Sequence, residues 1–198
     1  MDKPPGEWQS KTAIAPKDYV CGYCGNKVAS NQGYYSAQGQ IGEHLYIYLC
    51  PFCNRPTFFY LDKQTPGLSF GRVVKYIPSS DVTSLYDEAR DCMKVNAYTA
   101  SILCSRKLLM NIAVSKGAEE GKTFVAYVDY LKDKGFLPPD SKEWVDHIRK
   151  TGNMATHQIQ IMGRTEAEEL ITFVEMLLKF IYEFPAMMKA KATPPTTT

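Results

Sequence analysis

The sequence predicts an α+β protein: a small β module stapled by a metal, followed by an all-α unit of four helices. Two observations carry that prediction. Two Cys-x-x-Cys pairs, Cys21-Gly22-Tyr23-Cys24 and Cys50-Pro51-Phe52-Cys53, flank a stretch of strand-like residues. Past Pro78-Ser79-Ser80-Asp81 the apolar residues change from a period of two to one of about 3.6, which marks helix.

Each cysteine pair puts two thiolates on one tight turn, and two such turns meet to form a tetrahedral four-sulfur site for zinc. Gly22, Gly25, Pro51 and Asn54 let the backbone curl around the sulfurs. The expected ligands are Cys21, Cys24, Cys50 and Cys53, and the expected cofactor is a structural Zn2+. Four thiolates leave no coordination position for water, so a catalytic zinc is not expected. The competing reading is a pair of disulfides in a secreted protein. Residues 1–17 oppose it, being polar and Pro-rich with no apolar segment of the kind a signal peptide carries.

Residues 1–17 read as a flexible lead-in. The β module is expected over residues 18–77, with Leu45–Leu49 entering the second cysteine turn, Thr57–Leu61 leaving it, and Arg72–Ile77 as a last strand. A core this small cannot be held by burial alone, so the metal supplies the difference. Tyr34, Tyr35, Tyr46, Tyr48, Phe58, Phe59 and Tyr60 make the module rich in aromatics. Such rings serve either as contacts for a partner or as the packing of short strands.

The helical domain is expected over residues 81–190, with a disordered tail at 191–198. Ala89, Met93, Ala97, Ala100, Cys104, Leu108 and Ile112 form one apolar stripe, on one long helix or two abutting ones. Thr123–Lys134 makes a second helix closed by Gly135. Pro138-Pro139-Asp140-Ser141 starts a third around Trp144, Val145 and Ile148. Thr165 caps a fourth, whose stripe runs from Ala167 to Ile181. Cys92 and Cys104 fall in the first helical pattern. On a single helix they stand roughly 18 Å apart, so they read as small buried residues in a reducing compartment.

The formal charge is +2, with eight Lys/Arg against five Asp/Glu up to residue 80 and fifteen against sixteen beyond it. A mildly basic β module permits nucleic-acid contact without demanding it. No apolar run reaches the length of a membrane span, and a soluble, cytoplasmic protein is expected. Gly117-Ala118-Glu119-Glu120-Gly121-Lys122-Thr123 ends like a phosphate-binding loop but has too few residues between its glycines and follows a helix. Arg106-Lys107 reads as a solvated face or a bundle-end ion pair.

Between the third and fourth helices, Arg149, Asn153 and His157 are spaced to share one helical face. An obligate cation, an amide and a group titrating near neutrality suit RNA cleavage. The histidine would exchange a proton with the ribose or the leaving oxygen, and the arginine would hold the phosphate. The same residues also suit structure: Asn153 as a turn cap, His157 bonded to a carbonyl, Arg149 paired with Asp146.

From Val82 to Lys189 the chain resembles the prokaryotic domain of unknown function 4145, grouped with the HEPN helical superfamily. The matching pieces are Leu85–Ala89, Ala100–Leu109, Trp144–Arg149, Gly152–His157 and the helix ending Tyr182–Ala186. A zinc ribbon ahead of such a domain is a familiar arrangement. The resemblance implies one of two functions. One is a binding or regulatory module in a prokaryotic defence or toxin–antitoxin setting, recognising protein or nucleic acid. The other is a metal-independent endoribonuclease, its site completed across a homodimer by Arg149, Asn153 and His157. In active superfamily members fewer residues separate the arginine and histidine than the seven found here.

Overall fold

A computed structural model describes residues 6–37, 44–137, 143–148 and 161–192. The fold is α+β, with an antiparallel sheet followed by helices. Two compact units, Met1–Ser69 and Phe70–Thr198, divide the chain.

The first unit is a five-stranded antiparallel meander in the order β1-β2-β3-β4-β5. Its strands are β1 (Thr12–Val20), β2 (Lys27–Tyr35), β3 (Tyr46–Leu49), β4 (Pro56–Tyr60) and β5 (Lys63–Thr65). The strand begins at Thr12, inside the segment expected to be a flexible lead-in. It is held there by its pairing with β2, Thr12 opposite Gly33 and Val20 opposite Lys27. The register shifts between Ala13 and Lys17, where four steps along β1 match only two along β2. Pro16, which has no amide proton to give a ladder, sits in that bulge. Gly33 is required where β2 meets β3, because a Cβ there would lie 1.9 Å from the Ile47 carbonyl oxygen. The core consists of Tyr19, Val28, Tyr48 and Phe59 with Cys21, Cys50 and Cys53. The Tyr19 ring meets Phe59 edge-on at 5.3 Å and Tyr48 at 6.1 Å, so β1 curls over the face of β3 and β4.

The second unit contains α1 (Ser80–Cys92), α2 (Tyr98–Ser115), α3 (Phe124–Asp133), α4 (143–148), α5 (Arg164–Leu178) and α6 (Phe184–Ala192). Ser79 caps α1 by accepting from the Val82 amide at 3.3 Å, and Thr123 caps α3 through Ala126 at 3.3 Å. The long first stripe resolves into two helices. A 3-10 turn, Met93–Val95, and Asn96 in the left-handed region at φ 60° separate α1 from α2. Helix α5 starts at Arg164 behind Gly163, one residue before the threonine expected to cap it. It continues through a π turn, Lys179–Glu183, into α6.

Helix α2 is central: α1, α3 and α5 all pack on it. Ile102, Leu108, Leu109, Ile112 and Ala113 are fully buried on it, beside Val128, Leu131, Leu170, Ile171 and Leu177 of its neighbours. Ser101 donates to the Ala89 carbonyl at 2.7 Å, a polar tie that lets α1 and α2 approach closely. Arg106, read from the sequence as part of a solvated face or a bundle-end ion pair, is buried, with its guanidinium 4.1 Å from the Phe124 ring centre.

Arg72–Ile77, expected to be the last strand of the β module, is no strand and belongs to the helical unit. Side chains from the helices take the place of a ladder. Arg90 donates to the Phe70 and Gly71 carbonyls at 3.0 and 3.1 Å. Glu175 accepts from the Arg72 amide and Glu183 from the Lys75 amide, each at 2.7 Å. Tyr86 donates to the Arg72 carbonyl at 2.8 Å, and Val74 is buried in the helical core. Backbone groups must be paired somewhere, and these carboxylates and donors satisfy them without a sheet.

Candidate metal centre

The first cysteine turn follows β1 directly and the second follows β3, so the meander delivers both pairs to one place. The turns share one construction. The Gly25 amide donates to the Cys21 carbonyl at 2.8 Å, and the Asn54 amide to that of Cys50 at 2.8 Å. Each turn closes with a further bond, Cys21 N–H to Asn26 at 2.9 Å and Cys50 N–H to Arg55 at 3.0 Å. The residue after the second cysteine is left-handed in both, Gly25 at φ 72° and Asn54 at φ 56°. Glycine and asparagine are the residues that tolerate this conformation best.

The sulfurs pair across the two turns: Cys21 Sγ lies 3.7 Å from Cys53 Sγ, and Cys24 Sγ 3.7 Å from Cys50 Sγ. All four Sγ atoms fall within 4.8 Å of one another, and all four cysteines are free. Four sulfurs about 2.3 Å from a central ion, at tetrahedral angles, stand about 3.8 Å apart. The spacing therefore fits a tetrahedral thiolate site, and the disulfide reading fails, since that bond needs sulfurs about 2 Å apart.

Electrostatics point the same way. Burial pushes the Cys50 thiol up and the Cys53 thiol up to about 12. Cys24, the least buried, is lowered: burial opposes ionisation there, but hydrogen bonds from Asn26 and the neighbouring thiols outweigh it. Burial, followed by the nearby cysteine charges, raises the Tyr19 phenol. Four crowded sulfurs cannot all ionise unaided, and a divalent cation held between them would supply the missing positive charge.

Each turn is also covered from outside, by contacts that sequence reasoning did not find. Gln64 donates to the Val20 and Pro66 carbonyls at 2.9 and 3.0 Å, drawing the segment after β5 over the first turn. A Cβ on Gly22 would lie 2.3 Å from the Gly67 oxygen and 2.4 Å from that of Pro66. Trp8 covers the second turn, its indole donating to the Asn54 carbonyl at 2.7 Å. The signal available for Trp8 was a lone tryptophan inside a polar, Pro-rich segment.

The other expected residues fare differently. Arg149, Asn153 and His157 lie outside the described residues. At the described end of that segment, His147 Nε2 is 2.6 Å from the Glu169 carboxylate on α5, an exposed pair. The aromatic set splits: Tyr48 and Phe59 are core, Tyr34, Tyr46 and Phe58 are half-buried, and Tyr35 and Tyr60 are exposed. Cys92 and Cys104 are half-buried, and the break between α1 and α2 makes them hydrogen-bonded neighbours. Burial, and then Glu88, raise both thiols, Cys104 to about 11. Among the described residues, no helix is long and apolar enough to cross a membrane.

A four-cysteine cluster in a curled meander, followed by a helical unit built around one buried helix, defines a two-part protein whose amino-terminal unit carries thiols compatible with a metal site. The chain belongs to the family described as a domain of unknown function (DUF4145), whose model matches residues 87–193. No curated protein matches the chain, and no solved structure does.

Proposed function

We propose that this protein is a recognition module in which a structural zinc ion braces a partner-reading β unit, a zinc ribbon, ahead of a HEPN-like DUF4145 domain. The carrying observation is the closure of the metal centre. Four sulfurs at tetrahedral spacing fill every position around an ion, so the metal holds the fold and activates no water. The remaining aromatic surface of the β unit is what a partner would meet.

Metal analysis of the purified full-length protein tests the first half, with one zinc per chain expected. Iron in its place would overturn the zinc assignment. For the second half, the zinc-loaded full chain is incubated with mixed RNA and assayed for retention without chelator and for cleavage with and without EDTA, beside His157→Ala. An affinity capture with the full chain and Cys50→Ser runs in parallel. Retention of RNA or of a defined protein, lost in Cys50→Ser and without cleavage, is expected. Cleavage abolished by His157→Ala would overturn the binding reading in favour of a homodimeric ribonuclease. Absence of any retained RNA or protein would also overturn it.

A further inference from the structure

The first unit has a cleft of about 230 Å³ lined by Pro16, Lys17, His44, Tyr46, Tyr48, Phe59 and Leu61, with no cysteine in the lining. Three features of the chain make it. The bulge in β1 carries Pro16 and Lys17 across the sheet, and the Ala15 carbonyl within that bulge accepts from the Tyr48 hydroxyl at 2.9 Å. Tyr46 and Tyr48 alternate onto one face of β3, and Phe59 lies directly opposite Tyr46 on β4. The His44 ring is fixed by its Nδ1, 2.6 Å from the Ser36 carbonyl. Since a carbonyl only accepts, that nitrogen carries the proton.

The chemistry of the lining selects a ligand class. The floor is aromatic: Tyr48 and Phe59 meet edge to face at 5.6 Å, and the half-buried Tyr46 ring lies 5.9 Å from Tyr48 at 31°. The Lys17 ammonium stands 4.7 Å from the Phe59 ring centre, where a ligand cation would otherwise sit. None of the described lining residues is a carboxylate. A cationic ligand is thus opposed by an occupied ring face, and none of the described lining residues offers it a counter-charge. A flat ring carrying an anion is accepted twice. With the Tyr48 hydroxyl already donated to the backbone and Tyr48 and Phe59 buried, the half-buried Tyr46 ring is the face the cleft offers in place of a hydrogen-bond code, which suits stacking that tolerates any base.

We infer that this cleft binds an unpaired nucleobase together with its phosphate, as part of a single nucleic-acid strand. Tyr46 forms the stacking edge and Lys17 contacts the phosphate. The inference rests on the recognition reading above and names the ligand and the place for it.

The test is fluorescence anisotropy of labelled oligo(U) with the zinc-loaded full chain, with oligo(dT) and free UMP as parallel arms. Tyr46→Ala and Lys17→Gln are each expected to weaken oligo(U) binding about five-fold or more. Tyr46→Phe, which keeps the ring, should bind as the parent does. Lys17→Gln should also lower the slope of log affinity against log salt by about 0.7, while the charge-matched Lys27→Gln leaves the Tyr46-dependent part intact. Unchanged metal content in each variant shows that the β unit has folded. Oligo(dT) is expected to bind comparably to oligo(U), and binding of UMP alone as strong as that of the oligonucleotides would overturn the assignment to a strand. Oligo(U) binding indifferent to both cleft variants would overturn the cleft and leave the recognition reading standing. Capture of a protein by a chain that binds no oligonucleotide would do the same, and failure of every arm and of the capture would sink both.

Discussion

The amide of Arg72 and the carboxylate of Glu175 meet at 2.7 Å across 103 positions of sequence. That bond, with the Tyr86 hydroxyl on the carbonyl of the same residue, fastens an irregular segment to the helices. Glu175 also pairs with Lys179 one turn on. Glu175→Ala leaves the amide without its acceptor and is expected to cost about 1–3 kcal/mol, while Tyr86→Phe costs about 0.5–1.5 kcal/mol. Urea unfolding followed by the helical circular dichroism signal measures both. Equal stability of all three proteins would show that the segment contributes nothing.

Removing the metal should melt the β unit and spare the helices. The core of the first unit includes three of the cysteines themselves, whereas that of the second is built from fully buried aliphatic residues. A strong chelator is expected to abolish the near-ultraviolet signal of Tyr19, Tyr48 and Phe59 while the far-ultraviolet helical signal persists. Because the thiols of Cys50 and Cys53 are raised in the absence of a cation, metal and protons compete for them. Metal affinity should therefore fall as pH falls, which a titration against a chromophoric chelator at several pH values would read.

Gly33→Ala is expected to destabilise the first unit by ~3 kcal/mol or more, because the new methyl meets backbone and no rotamer relieves it. Gly25→Ala provides the contrast. It has open space around it and only a left-handed backbone to strain, so its cost should be about 1–2 kcal/mol. Chelator-induced release rates rank the two without requiring reversible unfolding. Faster release from the Gly25 variant would contradict the steric account.

Cys104 should resist alkylation at neutral pH. Its thiol is raised from about 9 to about 11, chiefly by burial, so the thiolate fraction in the folded protein is small and grows only at high pH. The linkage has a definite sign. Between those two values the unfolded thiol ionises and the folded one does not, so the native state holds the extra proton. This contribution to stability is complete below about pH 9 and lost as pH rises toward 11. Mass-resolved iodoacetamide kinetics on the native protein should give a rate still climbing above pH 9. A plateau below that value would refute the shift.

The cysteine spacing disclosed the centre because metal-binding turns are local: Gly25 and Asn54 announce the left-handed positions within the motif itself. The helix start at the Pro78-Ser79-Ser80-Asp81 cluster was legible for the same reason, and Ser79 is the residue that caps it. What escaped sequence reasoning was settled at long range. Val73 and Val74 have strand propensity, yet the segment's amides are taken by glutamates about a hundred residues away. Polar composition made residues 12–17 look like a lead-in, and only pairing with β2 makes them a strand. Cys92 and Cys104 looked distant because one left-handed residue, Asn96, turns a single stripe into two helices.

The strand order of the first unit bears on how the protein is made. Every ladder in the meander joins strands that are neighbours in the chain, and both cysteine turns lie between those strands. No strand waits for a partner encoded further on. The β unit is complete in information once Ser69 has been synthesised, and pairing of this local kind is quick to search. A nascent chain can therefore pair its strands and bring its four cysteines together while the helices are still being translated. On the proposed zinc reading, the supply of metal at that moment, ahead of any later step, would decide whether the amino-terminal unit forms.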